Sequence, residues 1–161
     1  FVTNGPLLKF SVNGKEAGDV ITATNGQSVD FKIEAFSPNT VEKVEIIVNG
    51  KVAWSGTGFS GKQTFAGKLN APNGGWIAAR IYGGATKPPF TDSYPFAHSA
   101  PVWFNKIGSS DAISAKTSAQ DLLRWMDVAE KRMNQGYEGA KVENLRKRFA
   151  DARKILEAKA K

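Results

Sequence analysis

The side chains best suited to chemistry are scarce in this chain, which has one histidine, His98, and no cysteine. A serine nucleophile needs an imidazole to take its proton, so only His98 could complete a triad, and no Gly-x-Ser-x-Gly elbow is present. Without thiolates, one imidazole is too little for a multi-metal His/Asp cluster unless carboxylates converge. We therefore expect this chain to be non-catalytic, with no metal or cofactor of its own.

His98 lies in the segment Phe96-Ala97-His98-Ser99-Ala100-Pro101, which leads into a candidate strand over residues 101–104. Small neighbours and the fixed φ of Pro101 could hold the imidazole at the strand entry. Two interpretations stay open. The imidazole bonds a neighbouring backbone carbonyl, or it faces a partner domain.

Aromatic side chains offer a second chemistry, the stacking of sugars on a flat platform. Trp54, Tyr82 and Tyr94 are the candidates for such a ligand site. Trp76 and Trp103 are interpreted as core, because a buried Trp between two sheets is common in β-sandwiches.

Two further patterns are interpreted as structural. The glycine-rich run over residues 56–61 lacks the following Lys-Ser/Thr of a phosphate loop, so it predicts a hairpin loop. Paired carboxylates could hydrolyse glycosides. However, Glu34, Glu42 and Glu45 occupy outward strand positions, which favours solvated surface.

The composition of the chain changes near residue 108, and with it the type of secondary structure expected to position these residues. Fourteen of the 16 Gly and all seven Pro lie up to that point, and Gly and Pro punctuate short strands. The sequence predicts a β domain over residues 1–108, a small polar linker over 109–117 and a helical hairpin over 118–161.

Alternating apolar and polar residues predict short strands in the β domain. The runs 29–35 and 44–48 are the clearest, and Asn49-Gly50 predicts a tight hairpin turn into residues 51–54. Further candidate strands cover residues 7–12, 20–24, 62–69, 76–82 and 101–104, with turns at Asn13-Gly14, Asn25-Gly26 and Asn73-Gly74. This pattern predicts an immunoglobulin-like antiparallel β-sandwich, with a small barrel as the alternative.

Two amphipathic helices are predicted after the linker. Ser118 is the expected N-cap of the first, and Gly136 its end. The second runs from about residue 140 to 160. The apolar stripes comprise Leu122, Trp125, Met126, Ala129 and Met133 on the first helix, and Val142, Leu145, Phe149, Ala152 and Leu156 on the second.

The net charge is +7, of which +4 lies in residues 111–161. A basic helix can bind nucleic acid, and the candidates are Lys141, Arg146, Lys147, Arg148, Arg153 and Lys154. Eight acidic residues are interleaved with them, so we interpret this face as solvated and expect no nucleic-acid partner. No apolar stretch is long enough to span a membrane. The first six residues are not a signal peptide, and the missing Met predicts a chain that starts inside a longer protein.

Four segments together resemble the C-terminal region of CehA/McbA-type metallohydrolases of the PHP (polymerase and histidinol phosphatase) superfamily. They occur in the family's order, with Ser99 and Ala100 standing where the family has Thr and Ser. The segments are Phe1-Val2-Thr3-Asn4-Gly5-Pro6-Leu7-Leu8, Gly75-Trp76-Ile77-Ala78-Ala79-Arg80, Ala97-His98-Ser99-Ala100-Pro101-Val102 and Leu122-Leu123-Arg124-Trp125-Met126-Asp127.

The resemblance implies an accessory domain that packs on an upstream catalytic domain of the same polypeptide. That catalytic domain would hold the family's divalent metal, and none of its ligands is carried over to this chain. The expected interface residues are Asn4, Pro6, His98, Ser99 and Pro101. The alternative from the residues themselves is a carbohydrate- or surface-binding module.

Overall fold

A computed structural model describes residues 1–88, 94–136 and 142–161. The chain divides into two compact units, Phe1–Asp111 and Ala112–Lys161, which we call the strand unit and the helical unit. The described part of the strand unit contains β1 (Val2–Thr3), β2 (Leu7–Val12), β3 (Lys15–Glu16), β4 (Val20–Ile21), β5 (Ser28–Val48), β6 (Lys51–Asn70), β7 (Gly75–Tyr82), β8 (Phe96–His98) and β9 (Val102–Phe104).

Strand β5 organises the strand unit. It pairs with β6 along nearly its whole length, while its other edge pairs first with β2 and then with β7. Strand β7 also pairs with β8 and with β9. Strand β1 pairs with β8, and β3 pairs with β2. All pairs between the described strands are antiparallel except that of β4 with β9. The predicted fold class, mainly antiparallel β strands followed by two helices, is confirmed.

Both halves of β5 contribute to one hydrophobic core. Alternate residues of a strand face the same side, so Ile33 from the first half and Ile46 from the second are both fully buried. Neighbouring strands add Phe10, Ile77, Ile81, Val102 and Phe104. The period-two pattern therefore identified the buried face correctly.

The two sequence runs of β5 were predicted as separate strands, but the structure joins them through a bulge between Ser37 and Val41. Pro38 lies within this irregularity, where its missing N–H breaks no ladder bond. The buried Ser37 hydroxyl donates to the Asn39 carbonyl at 2.6 Å and so satisfies both groups.

The glycine-rich run over residues 56–61 lies within β6, so the hairpin loop predicted there is wrong. A Cβ at Gly58 would overlap the carbonyl oxygen of Val41 and lie 2.8 Å from that of Glu42. Close approach of two backbones therefore explains this glycine, which the sequence alone suggested was a turn signal.

In the helical unit, α1 spans Ala112–Gly136 and α2 spans Glu143–Lys159. Helix α1 begins inside the segment predicted as a linker. Ser118 therefore lies within the helix, and its prediction as the N-cap is wrong. Residues 112–117 contain no Gly or Pro, which allows the helix to begin earlier than predicted. No described helix is long and apolar enough to cross a membrane.

On α2 and its N-cap, the predicted stripe residues Val142, Phe149 and Leu156 are buried or half-buried, but the least exposed face of α1 is rotated from its predicted stripe and shares only Met126 and Met133 with it. Ala119 and Met133 are buried, whereas Leu122 is 52% and Trp125 is 70% exposed. Arg153 donates to Asp127 at 2.8 Å and to Glu130 at 2.9 Å. These hydrogen bonds, that to Asp127 first, raise the pKa of Arg153 above its usual value. These polar contacts between the helices accompany the rotation of the α1 face, and a hydrophobic pattern does not predict them.

Neutralising Lys147 and Arg148 together is expected to change the free energy of unfolding by no more than about 0.5 kcal/mol, as at ordinary surface positions. Both side chains are exposed on α2. Urea titration of K147Q/R148Q against the parent chain checks this. A loss of several kcal/mol would contradict their assignment as solvated.

Candidate functional site

The residues with the most chemistry lie on the face of β7 and β8 that points away from the core. Cross-strand pairing places His98 beside Arg80, and Arg80 beside Glu45 of β5. Two residues along, on the same face, Phe96 pairs with Tyr82. We call this set, Glu45, Arg80, Tyr82, Phe96 and His98, the β7–β8 face.

Arg80 is held by contacts on two sides. Its Nε and Nη2 atoms lie 2.8 and 2.6 Å from Oε2 of Glu45, and its guanidinium carbon lies 4.9 Å from the Tyr82 ring centroid. The Tyr82 hydroxyl donates to the other carboxylate oxygen of Glu45 at 3.1 Å. Charge-assisted hydrogen bonds and cation–π contact fix the guanidinium in one orientation.

Glu45 is buried, which corrects its assignment to the solvated surface. Its alternation with Val44 and Ile46 correctly placed it away from the core, but its partner Arg80 lies on another strand. A carboxylate can be buried when it is paired and hydrogen-bonded. The sequence held no local signal for this pair.

His98 is exposed, and its Nδ1 atom lies 2.7 Å from the carbonyl oxygen of the next residue, Ser99. This is the local backbone contact that was one of the two interpretations of the imidazole. It orients the ring through Nδ1 while the side chain stays accessible to a partner. The local-contact interpretation is therefore confirmed, and the contact with a partner domain stays a prediction.

Ser99 has a structural position instead. Its side chain is buried, its N–H donates to the Ala79 carbonyl at 2.9 Å, and its hydroxyl oxygen accepts the Ala79 N–H at 3.0 Å. Ser99 thus continues the β7–β8 ladder with its side chain, just after β8 ends.

The remaining expected interface residues tie loops to the sheet. Asn4 accepts the Phe96 N–H at 2.8 Å and donates to the Tyr94 carbonyl at 2.9 Å. Pro6 is buried, and its carbonyl accepts the Thr3 hydroxyl. The half-buried Pro101 accepts the Gly18 N–H at 2.7 Å. Of the five residues, His98 alone presents an exposed side chain.

A groove of about 330 Å³ opens on this face, lined by Arg80, Ile81, Tyr82, Tyr94, Phe96, Ala97 and His98. Tyr82 and Tyr94, expected as ligand residues, therefore line the same groove as His98. Tyr94 is 55% exposed, whereas the Tyr82 ring lies against Arg80 and 5.9 Å from Nζ of Lys43.

Trp54, the third expected ligand residue, lies elsewhere. Its ring centroid is 5.1 Å from that of Phe31 and 5.7 Å from that of Phe65, both in tilted or edge-on geometry. It is half-buried and packs against the core. Tyr82 and Tyr94 therefore share no platform with Trp54.

Trp76 and Trp103 pair across β7 and β9, and both are half-buried. They alternate with the core residues Ile77, Val102 and Phe104, so they occupy the opposite face of the sheet. Their assignment to the core is wrong, and strand parity within the sequence could have indicated this.

Metal binding stays a prediction. Within residues 1–88, 94–136 and 142–161, no three His, Asp or Glu side chains cluster in a way that could hold an ion. We expect calorimetric titration of this chain with Zn²⁺ and Mn²⁺ to give no stoichiometric micromolar binding. A saturable site of defined stoichiometry would contradict this expectation.

No protein-family model and no curated protein sequence matches the chain. Among solved structures, the chain is similar to the CARDB domain of a Pyrococcus furiosus protein, determined by NMR, at 12% identity and a TM-score of 0.38. That match covers 62% of this chain and 95% of the domain. A crystal structure of the same domain with two metal ions has 13% identity and a TM-score of 0.37, and covers 65% and 92%.

Proposed function

We propose that this chain is a non-catalytic accessory module that contacts another protein domain through the β7–β8 face. The observation that carries the proposal is that the face is organised in advance. Glu45 and Tyr82 hold Arg80, and the Ser99 carbonyl orients the accessible ring of His98. Side chains that are already fixed lose little conformational entropy when a partner binds.

The composition of the face suits a protein partner. Arg and aromatic residues are enriched at the centres of protein interfaces. Here Arg80, Tyr94 and Phe96 surround an open groove rather than an enclosed cavity. A shallow groove of this kind fits a loop or side chain of a neighbouring domain.

The partner we propose is the PHP-type catalytic domain that the sequence resemblance implies. Strand β1 pairs Val2 with His98, so a domain joined before Phe1 would enter beside the β7–β8 face. A divalent metal would belong to that domain. The family assignment rests on the resemblance alone.

A carbohydrate-binding module is the second candidate, and the exposed ring of Tyr94 favours it. Stacking on sugars needs an open aromatic face, but Arg80 and Lys43 lie against Tyr82. Trp54 packs among core aromatics. Tyr94 is the most exposed of the three expected ligand residues, and loss of polysaccharide binding in Tyr94→Ala would support this candidate.

The coding sequence upstream of Phe1 provides the most direct test of the partner. The proposal expects a His/Asp-rich catalytic domain there. An upstream region without one would remove the hydrolase assignment but would leave the β7–β8 face as a candidate contact surface.

His98→Ala in the complete protein is expected to reduce turnover at least about tenfold, while the melting temperature of this chain alone changes little. The ring is exposed and bonds a local carbonyl, so its removal leaves the core intact. Steady-state kinetics and thermal melts give the two readouts. Gln120→Ala, an exposed polar change on α1, is the control.

The opposite outcome is equally clear. If His98→Ala lowers the stability of the chain and of the complete protein equally, and turnover per folded molecule is intact, the interface role of His98 is wrong.

A further inference from the structure

Strand β6 has one edge open along its length. It pairs with β5 from Lys51 to Asn70, and no other described strand pairs with it. In an antiparallel pair, alternate residues turn their N–H and C=O groups away from the partner strand. A strand of 20 residues therefore presents a long row of backbone donors and acceptors on its free side.

Phe59 of β6 is buried, but three other inward side chains of this strand are incompletely covered. Trp54, Phe65 and Leu69 pack against the core but stay half-exposed, whereas inward residues of β5 such as Ile33 and Ile46 are fully buried. The difference is the missing neighbour, because β5 has a strand on each side and β6 has one. A strand added beside β6 would cover these half-exposed side chains.

The charge of β6 restricts what could be added. The strand has three lysines, Lys51, Lys62 and Lys68, and no acidic residue. Lys68 pairs with Asp30 at 2.6 Å, but no described carboxylate lies within ion-pair distance of Lys51 or Lys62. Lys51 is opposite the core-facing Val48, whereas Lys62 is opposite the exposed Phe36. Lys62 is therefore the uncompensated cation on the outer face of the half of β6 that holds Phe65 and Leu69.

We propose that β6 accepts an added β-strand from a partner protein, and that the added segment is extended, acidic and alternates apolar with polar residues. Its backbone would bond the open edge beside residues 61–70, its apolar side chains would cover Phe65 and Leu69, and a carboxylate on its other face would meet Lys62. This mode combines main-chain bonding for affinity with alternate side chains for specificity.

A second copy of the chain is the competing occupant, and charge disfavours it. Antiparallel pairing of two β6 strands would bring six lysines together without a carboxylate from either strand. Lysines on edge strands oppose such self-pairing. The same charges attract an acidic strand.

The probe is a ten-residue peptide of alternating Glu and Val, added to the whole chain. Hydrogen–deuterium exchange of individual β6 amides is measured with and without it. We expect exchange at the open edge of β6 to slow at least tenfold. The control peptide has the same sequence with every backbone nitrogen methylated, which keeps the charge and removes the donors, and it should give no such protection.

A variant of the chain tests the charge separately. Lys62→Glu should weaken binding of the acidic peptide at least tenfold, whereas Lys147→Glu on α2 should not.

Three outcomes would overturn the proposal: no protection of β6, equal protection by the methylated peptide, or a concentration-dependent dimer that protects β6 without peptide. The comparison of the two peptides uses the unmodified chain, so it decides even if the lysine variant fails to fold.

Discussion

Trp54→Ala is expected to lower the free energy of unfolding of the strand unit by about 3 kcal/mol, the low end of values for large aromatic side chains removed from a core. Trp54 contacts Phe31 and Phe65, and a Cβ on Gly56 would lie 2.5 Å from its ring. The ring therefore fills the space that the glycine leaves on the inner face of β6, and its removal opens a cavity there.

Urea denaturation followed by circular dichroism measures this loss. Trp125→Ala provides a chemically identical control on α1, where the side chain is largely exposed, and we expect it to cost less than about 0.5 kcal/mol. If Trp54→Ala leaves stability unchanged and instead abolishes binding of a sugar, Trp54 is a ligand platform and its structural assignment fails.

Ser99→Ala is expected to cost about 2 kcal/mol, within the range for leaving a buried backbone donor unsatisfied. The Ser99 hydroxyl oxygen accepts the Ala79 N–H at 3.0 Å, and both residues are buried. Alanine removes the acceptor while leaving the N–H in place, and the lost hydroxyl leaves little room for water.

Ser55→Ala is the matched control, since Ser55 is an exposed strand residue on β6. Chemical denaturation of both variants should show a clear loss for Ser99→Ala alone. Equal, small changes would mean that water or a shifted backbone replaces the hydroxyl, and Ser99 would then return to the set of candidate interface residues.

Local rules predicted the turns of this fold well. Asn13-Gly14 and Asn49-Gly50 both have positive φ at their two residues, as type I′ hairpin turns require. The β5–β6 hairpin follows from the second of them, with Val48 opposite Lys51. Such turns depend on adjacent residues alone, so one sequence is sufficient to identify them.

Features that depend on distant residues were missed. The runs 29–35 and 44–48 were predicted as separate strands, but β5 and β6 continue through the bulge with the Ser37–Asn39 hydrogen bond and the close approach at Gly58. The burial of Glu45 requires Arg80, a partner that only the sheet register supplies. For the same reason, the sequence placed His98 in a candidate site but could not place Arg80 there.

The sharing of β5 by both halves of the sheet has a consequence for how the strand unit folds. Pairing of β5 with β6 can begin at the tight turn Asn49-Gly50 and extend along both strands. Because the turn is short, the loss of loop-closure entropy is small. Strand β1, in contrast, adds two residue pairs that join distant parts of the chain. Contacts that close long loops form late and open first. Strand β1 is therefore the part of the strand unit where fraying begins, whereas β8 stays paired with β7.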